Sequence, residues 1–168
     1  QRQTRAQGKL TVSGKYKVDC DAAEMKLAGK PLEGALEDKW QPVALDKTRK
    51  LFYADFSAPA GGWYTCELRF VKEGKPVAQK KLDHVGVGEV FVGAGQSNST
   101  NCGGEGKLKV ESGLVATFDG FAWRIADDPQ PGAHDKSQGG SFWAAFGDAM
   151  VEKYQVPVGV AVTGHGGT

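Results

Sequence analysis

Glu89-Val90-Phe91-Val92-Gly93-Ala94 runs directly into Gly95-Gln96-Ser97-Asn98-Ser99-Thr100-Asn101-Cys102-Gly103-Gly104, and the contrast between these two stretches decides the fold of the second half of the chain. The first is almost continuously apolar, the pattern of a strand buried on both faces of a parallel sheet. The second holds glycine, hydroxyl and amide residues, so the chain leaves the sheet in a polar loop. Val156 to Val162 repeats the apolar, β-branched pattern and breaks at Gly164-His165-Gly166-Gly167. Between them, Ser141 predicts a cap for a helix with Phe142, Ala145, Phe146, Ala149 and Met150 on one stripe, ending before Gln155-Val156-Pro157. Strand, loop, helix-bearing crossover and strand make a βαβ unit, whose handedness brings both strand carboxyl ends to one edge. Ser97 and the Gly164–Gly167 turn both follow strand ends, where open α/β sheets bind ligands. A hydroxyl beside glycine N–H donors suits a carbonyl oxygen becoming an oxyanion, the chemistry of acyl transfer; a plain turn is the competing reading.

Other loop chemistries fit poorly. No Lys completes a phosphate-cradling GxxxxGK[ST] loop, the glycines at 86, 88, 93 and 95 do not spell GxGxxG, and Ser at position 99 breaks GxSxG. The stretch from Gly113 to Gly140 lacks a helical period. It is expected to form a loop over the crevice, with Trp123 either stacking on a sugar or packing against the sheet edge.

Upstream the pattern changes to short alternating runs. Lys9–Ser13, Glu24–Leu27, Lys39–Leu45, Leu51–Phe56, Trp63–Val71 and Pro76–Leu82 read as strands, with Glu73-Gly74-Lys75 as a hairpin signal. The expected organisation is a tail over residues 1–8, an antiparallel β-sandwich of immunoglobulin-like type over 9–86, and the first βαβ unit of a flavodoxin-like parallel α/β domain over 87–168. In Trp63-Tyr64-Thr65-Cys66 a Tyr stands two residues before a Cys, with Trp40 and Cys20 upstream. This resembles the Tyr corner and the Cys, Trp, Cys order of immunoglobulin domains, and leaves Cys20 and Cys66 either bonded or as two thiols. Trp40, Tyr53 and Trp63 are expected in the core, with a glycan platform as the alternative.

Composition removes several classes. The 168 residues carry 21 Lys plus Arg against 20 Asp plus Glu, a net charge of +1 that gives no field for nucleic acid. Residues 1–86 hold 16 basic and 11 acidic side chains and residues 87–168 hold 5 and 9, a shift that also suggests two units. No apolar run approaches the roughly 18 residues of a membrane span. Three cysteines without a CxxC pair predict neither a disulfide scaffold nor a metal site, and no cofactor is expected. The start at Gln1 is expected to be a processed or engineered end.

The segment from Val87 to Asn98, with its GQSN at 95–98, resembles the nucleophile block of the SGNH (GDSL-like) hydrolases, in the subgroup of sialate O-acetylesterases and acetyl xylan esterases. Val156-Pro157-Val158-Gly159-Val160-Ala161 followed by His165-Gly166-Gly167-Thr168 is similar to that group's VPVG strand and GGT turn. The resemblance covers residues 87–168. It implies that Ser97 is a nucleophile forming an acetyl-enzyme, and that its own N–H and that of Gly166 or Gly167 hold the oxyanion. Gln96 and Asn98 would shape the loop, and His165 would contact substrate or brace the turn. The formal sequon Asn98-Ser99-Thr100 is discounted, because a glycan there would block the site.

In this family the base is a His in a DxxH motif, and no DxxH occurs here. His84 is expected in a linker, His134 in a surface loop and His165 in the turn. The resemblance therefore implies a secreted, periplasmic or extracellular carbohydrate O-acetylesterase acting on an acetylated glycan. Its missing base would come from a C-terminal remainder or a second polypeptide, and residues 87–168 would be inactive alone. A non-catalytic glycan-binding or adhesive module is the alternative.

Overall fold

The computed structural model describes residues 4–104, 106–133, 136–165 and 167. The chain divides into two compact units, Gln1–Val87 and Gly88–Thr168.

The first unit is all β: β1 (Gln7–Lys15), β2 (Ala22–Ala28), β3 (Gln41–Asp46), β4 (Leu51–Pro59), β5 (Gly61–Lys72) and β6 (Lys75–Val87). They form one antiparallel sheet in the order β1-β4-β3-β2-β5-β6. The expected immunoglobulin-like pair of facing sheets is replaced, among the described residues, by a single curled one, because β3 serves both sides. Its first half (Gln41–Val43) pairs with β2 and its second half (Ala44–Asp46) with β4. The curl brings β1 and β6, at opposite ends of the order, into contact.

Alternation along β5 sends Tyr64, Cys66, Leu68 and Phe70 inward to join Tyr16, Met25, Phe56 and Val87 in the core. The same phase turns Trp63 outward, beside the His84 ring at 5.8 Å. Trp40 lies half-buried beneath the Arg69 guanidinium at 3.9 Å, and Tyr53 is exposed on β4, so the expectation that these three aromatics form the core is corrected. His84 lies inside β6 rather than in a linker. Cys20 and Cys66 are both buried and free. Burial raises the Cys66 thiol above its ordinary pKa. Tyr64 donates from its hydroxyl to the Pro59 carbonyl at 2.9 Å, and burial pushes the phenol up to about 12. Glu73 and Gly74 join β5 to β6 with φ of 50° and 74°. Two successive positive φ values define the tight type I′ hairpin, and glycine at the second position relieves its strain.

The second unit is a four-stranded mixed sheet with one helix. Its strands are β7 (Glu89–Gly93), β8 (Val115–Phe118), β9 (Trp123–Ile125) and β10 (Val158–Val162), in the order β7-β10-β8-β9. β10 is parallel to both β7 and β8, and β9 is antiparallel to β8. Two of these strands fall where the sequence suggested an irregular loop. Trp123 opens β9, 50% exposed, and its ring packs near Phe118 at 5.1 Å rather than standing on a loop. A Cβ added to Gly159 would lie 2.9 Å from that ring.

Helix α1 (Trp143–Tyr154) covers the face bearing Phe91, Val115, Val158, Val160 and Val162. Its buried stripe is Trp143, Ala144, Gly147 and Val151, rotated from the one expected; Ala145 and Ala149 are exposed and Phe142 is 49% exposed. The small residues explain the rotation. Gly147 has no Cβ, so the helix backbone settles onto the Val115 side chain, while Phe146 and Met150 flank the contact line. β7 is an edge strand in the described sheet, and Val92 on its other face is 71% exposed, so burial on both faces is not realised among the described residues.

Candidate functional site

The carboxyl ends of β7 and β10 lie side by side because the strands are parallel, with Val158 opposite Glu89 and Val162 opposite Gly93. The pairing continues past the strands: the Thr163 N–H donates to the Gly93 carbonyl at 2.7 Å and the His165 N–H to the Gly95 carbonyl at 2.9 Å. The chain then turns at Ser97–Ser99, a single 3-10 turn. Gly164 sits against this turn. A Cβ there would lie 2.5 Å from Thr100 Cγ2 and 2.6 Å from Ser99 Oγ, so only glycine allows this approach.

Ser97 is half-buried, and its carbonyl accepts from the Thr100 N–H at 3.1 Å and the Thr100 hydroxyl at 2.7 Å. Ser99 donates its hydroxyl to the Gln96 carbonyl at 2.8 Å. Ser97 Oγ makes no hydrogen bond to a described residue, leaving this hydroxyl without a base in the described chain. Gln96 and Asn98 are exposed on either side of it. Of the turn residues proposed to face it, Gly167 is exposed with φ of 82°, and Gly166 lies outside the described residues. His165 is exposed and tied to Gly95 through its main chain; His134 lies outside the described residues. Trp123 belongs to β9, the strand at the end of the sheet order β7-β10-β8-β9.

Of the residues that hold the loop, the sequence marked only Ser141, and as a helix cap. Trp143 donates its indole N–H to the Ser99 carbonyl at 2.9 Å while its ring rests on the backbone of Gly93. Ser141 is not the helix N-cap, which is Phe142; instead its hydroxyl accepts from the Trp143 N–H at 3.2 Å and donates to Asp128 Oδ1 at 2.6 Å. Asp128 also accepts from Gln130 Nε2 at 3.0 Å and from the N–H groups of Ser141 and Leu108 at 2.8 and 3.1 Å. Asp128 and Ser141 resemble ordinary turn formers in sequence, and Trp143 an ordinary core residue. Their role shows only in contacts such as Trp143 with Ser99, 44 residues apart, and Ser141 with Asp128, 13 apart.

No group of three or more His, Cys, Asp or Glu among the described residues is placed to hold a metal ion. No helix among them is long and apolar enough to cross a membrane. What the site offers chemically is a serine hydroxyl at the end of one parallel strand and a glycine-rich bend at the end of its neighbour.

No family model matches the chain, and no curated protein matches it in sequence. Among solved structures it is similar to a carbohydrate acetylesterase from Xanthomonas citri, with a TM-score of 0.54 and 16% identity over 95% of this chain. The chain spans 37% of the length of that protein, and at this identity the likeness is one of fold.

Proposed function

We propose that this chain is the nucleophile-bearing part of a carbohydrate O-acetylesterase, with Ser97 as the attacking group. The observation that carries the reading is the backbone pairing that continues beyond β7 and β10 and sets the Ser97 turn against Gly164. The fold likeness to a carbohydrate acetylesterase and the GQSN, VPVG and GGT blocks support it. In this reading residues 87–168 belong to a flavodoxin-like SGNH domain, and the curled antiparallel sheet before them is its accessory domain.

The reaction is an acyl transfer. Ser97 Oγ bonds to the acetyl carbonyl carbon as a base takes its proton. The oxyanion is held by the Ser97 N–H and by the N–H of Gly166 or Gly167. Collapse breaks the ester C–O bond, the sugar oxygen leaves with a proton from the conjugate acid, and water releases acetate from Ser97. The base is a His of a DxxH pair supplied by a C-terminal remainder or a second polypeptide. His165 contacts substrate or braces the turn, and the protein acts outside the cytoplasm on an acetylated sialic acid, xylan or related glycan. That Ser97 Oγ has no hydrogen-bond partner among the described residues favours one second reading, a glycan-binding module that keeps the fold without the chemistry.

The test is release of acetate from p-nitrophenyl acetate and from acetylated xylo-oligosaccharides, with and without the polypeptide carrying DxxH. Turnover that requires both that polypeptide and Ser97 is expected. Turnover in Ser97→Ala equal to the parent chain would falsify the assignment, and retained sugar binding with no turnover in any combination would favour the second reading.

A further inference from the structure

Asn101 lies four residues beyond Ser97 and is 2% exposed. A buried amide is costly unless each of its groups is paired. Here its Oδ1 accepts from the Gln130 N–H at 2.6 Å, and its Nδ2 donates to the Gln130 carbonyl at 2.8 Å and to the Ser137 carbonyl at 3.0 Å. The main chain of the same residue is also engaged: its N–H donates to Ser137 Oγ at 3.1 Å, and its carbonyl accepts from the Gly139 N–H at 2.9 Å. The side-chain amide pairs with both main-chain groups of Gln130, as a neighbouring strand residue would.

The anchor matters because of where Gln130 leads. Two residues on, Gly132 packs its backbone against the Phe118 and Val162 carbonyls, at the carboxyl ends of β8 and β10. On the other side, Asn101 follows Thr100, whose N–H and hydroxyl both hold the Ser97 carbonyl. A chain of hydrogen bonds and backbone contacts therefore runs from the end of β10 through Gln130 and Asn101 to Ser97. The glycine-rich bend leaves from that same strand end.

We propose that Asn101 is a positioning residue, its amide fixing the Ser97 turn relative to the strand ends from which the opposing bend departs. The inference rests on the reading of Ser97 as the nucleophile. Asparagine is required because the position needs one acceptor and two donated hydrogens at once. Aspartate keeps the shape but turns a carboxylate oxygen toward two carbonyl oxygens; once protonated, it can donate to one of them again. Both bonds to Gln130 use its main chain, so substituting the Gln130 side chain leaves the tie in place.

The experiment compares the parent chain with Asn101→Asp, each in the presence of the polypeptide carrying DxxH, in two readouts over a range of pH. One is the rate at which p-nitrophenyl acetate acetylates Ser97, followed by intact mass against ester concentration. The other is amide hydrogen exchange at Thr100. At neutral pH the variant should lose about tenfold or more of its limiting acetylation rate, since small displacements of a reacting group cost rate steeply. Its half-saturating ester concentration should stay within about twofold, because the ester still meets the same walls. Thr100 should exchange faster. Relative to the parent chain, both readouts should recover as acidification protonates the new carboxyl. If the variant unfolds at neutral pH, refolding on acidification with recovery of acetylation supports the proposal. Unchanged acetylation and exchange at every pH, or a loss that acid does not repair, overturns it. Failure of the nucleophile reading is separable: Ser97→Ala would then acetylate like the parent, while the Thr100 exchange in Asn101→Asp would still report whether the amide orders the turn.

Discussion

The indole of Trp143 rests on the bare backbone of Gly93, the last residue of β7, and no Cβ can be added there without entering the ring. Because the same indole donates to the Ser99 carbonyl, one side chain fixes the helix, the strand end and the loop that carries Ser97.

Gly93→Ala should therefore destabilise the second unit. Overpacking a filled site costs about 1–3 kcal/mol, and the Trp143 ring cannot withdraw without losing its hydrogen bond. Urea denaturation followed by tryptophan fluorescence measures the loss; a midpoint equal to that of the parent chain would refute the packing.

Gly164→Ala probes the second close approach. The new methyl would meet Thr100 Cγ2 and Ser99 Oγ at 2.5 and 2.6 Å, and Thr100 is buried and cannot step aside. The bend and the turn should separate, lowering the rate of Ser97 acetylation by about tenfold or more. Acetylation kinetics at matched folded fraction distinguish this from simple unfolding, and an unaltered rate would mean that the spacing does not govern the chemistry.

Asp55 gives a pH dependence in the first unit. Lys9 at 2.6 Å, the Thr11 hydroxyl at 2.6 Å and the Tyr53 hydroxyl at 2.7 Å hold its carboxylate, lowering its pKa to about 2. The folded value is depressed below the ~3.9 of an unfolded Asp, so the stabilisation is complete above about pH 4 and lost as pH falls through about 2. Thermal melts across this window should show a shallower acid decline for Asp55→Asn than for the parent, and parallel declines would exclude the effect.

Strong local patterns carried the sequence reading furthest. The six strands of the first unit announce themselves by alternation, and Glu73-Gly74 by turn chemistry; pairing of β3 with two partners along its length leaves no such mark. In the second unit β7 and β10 are legible as apolar runs, whereas β8 and β9 have 4 and 3 residues and are too short to show a period. The helix was recognisable but its phase was not, because counting large apolar residues overlooks a contact line built on Ala144 and Gly147. Near Ser97 the motif marks the loop itself. Its supports, Asn101, Asp128, Gln130 and Ser141, take part in bonds that no local pattern marks, 29 residues apart for Asn101 with Gln130 and 13 for Ser141 with Asp128.

Thr100 binds the Ser97 carbonyl twice, through its N–H and through its hydroxyl. The conformational entropy of this segment is thus surrendered during folding, before any ester arrives. If Ser97 is the nucleophile, an acyl donor docking here would meet a preorganised backbone, and its binding energy would not be consumed in ordering that residue.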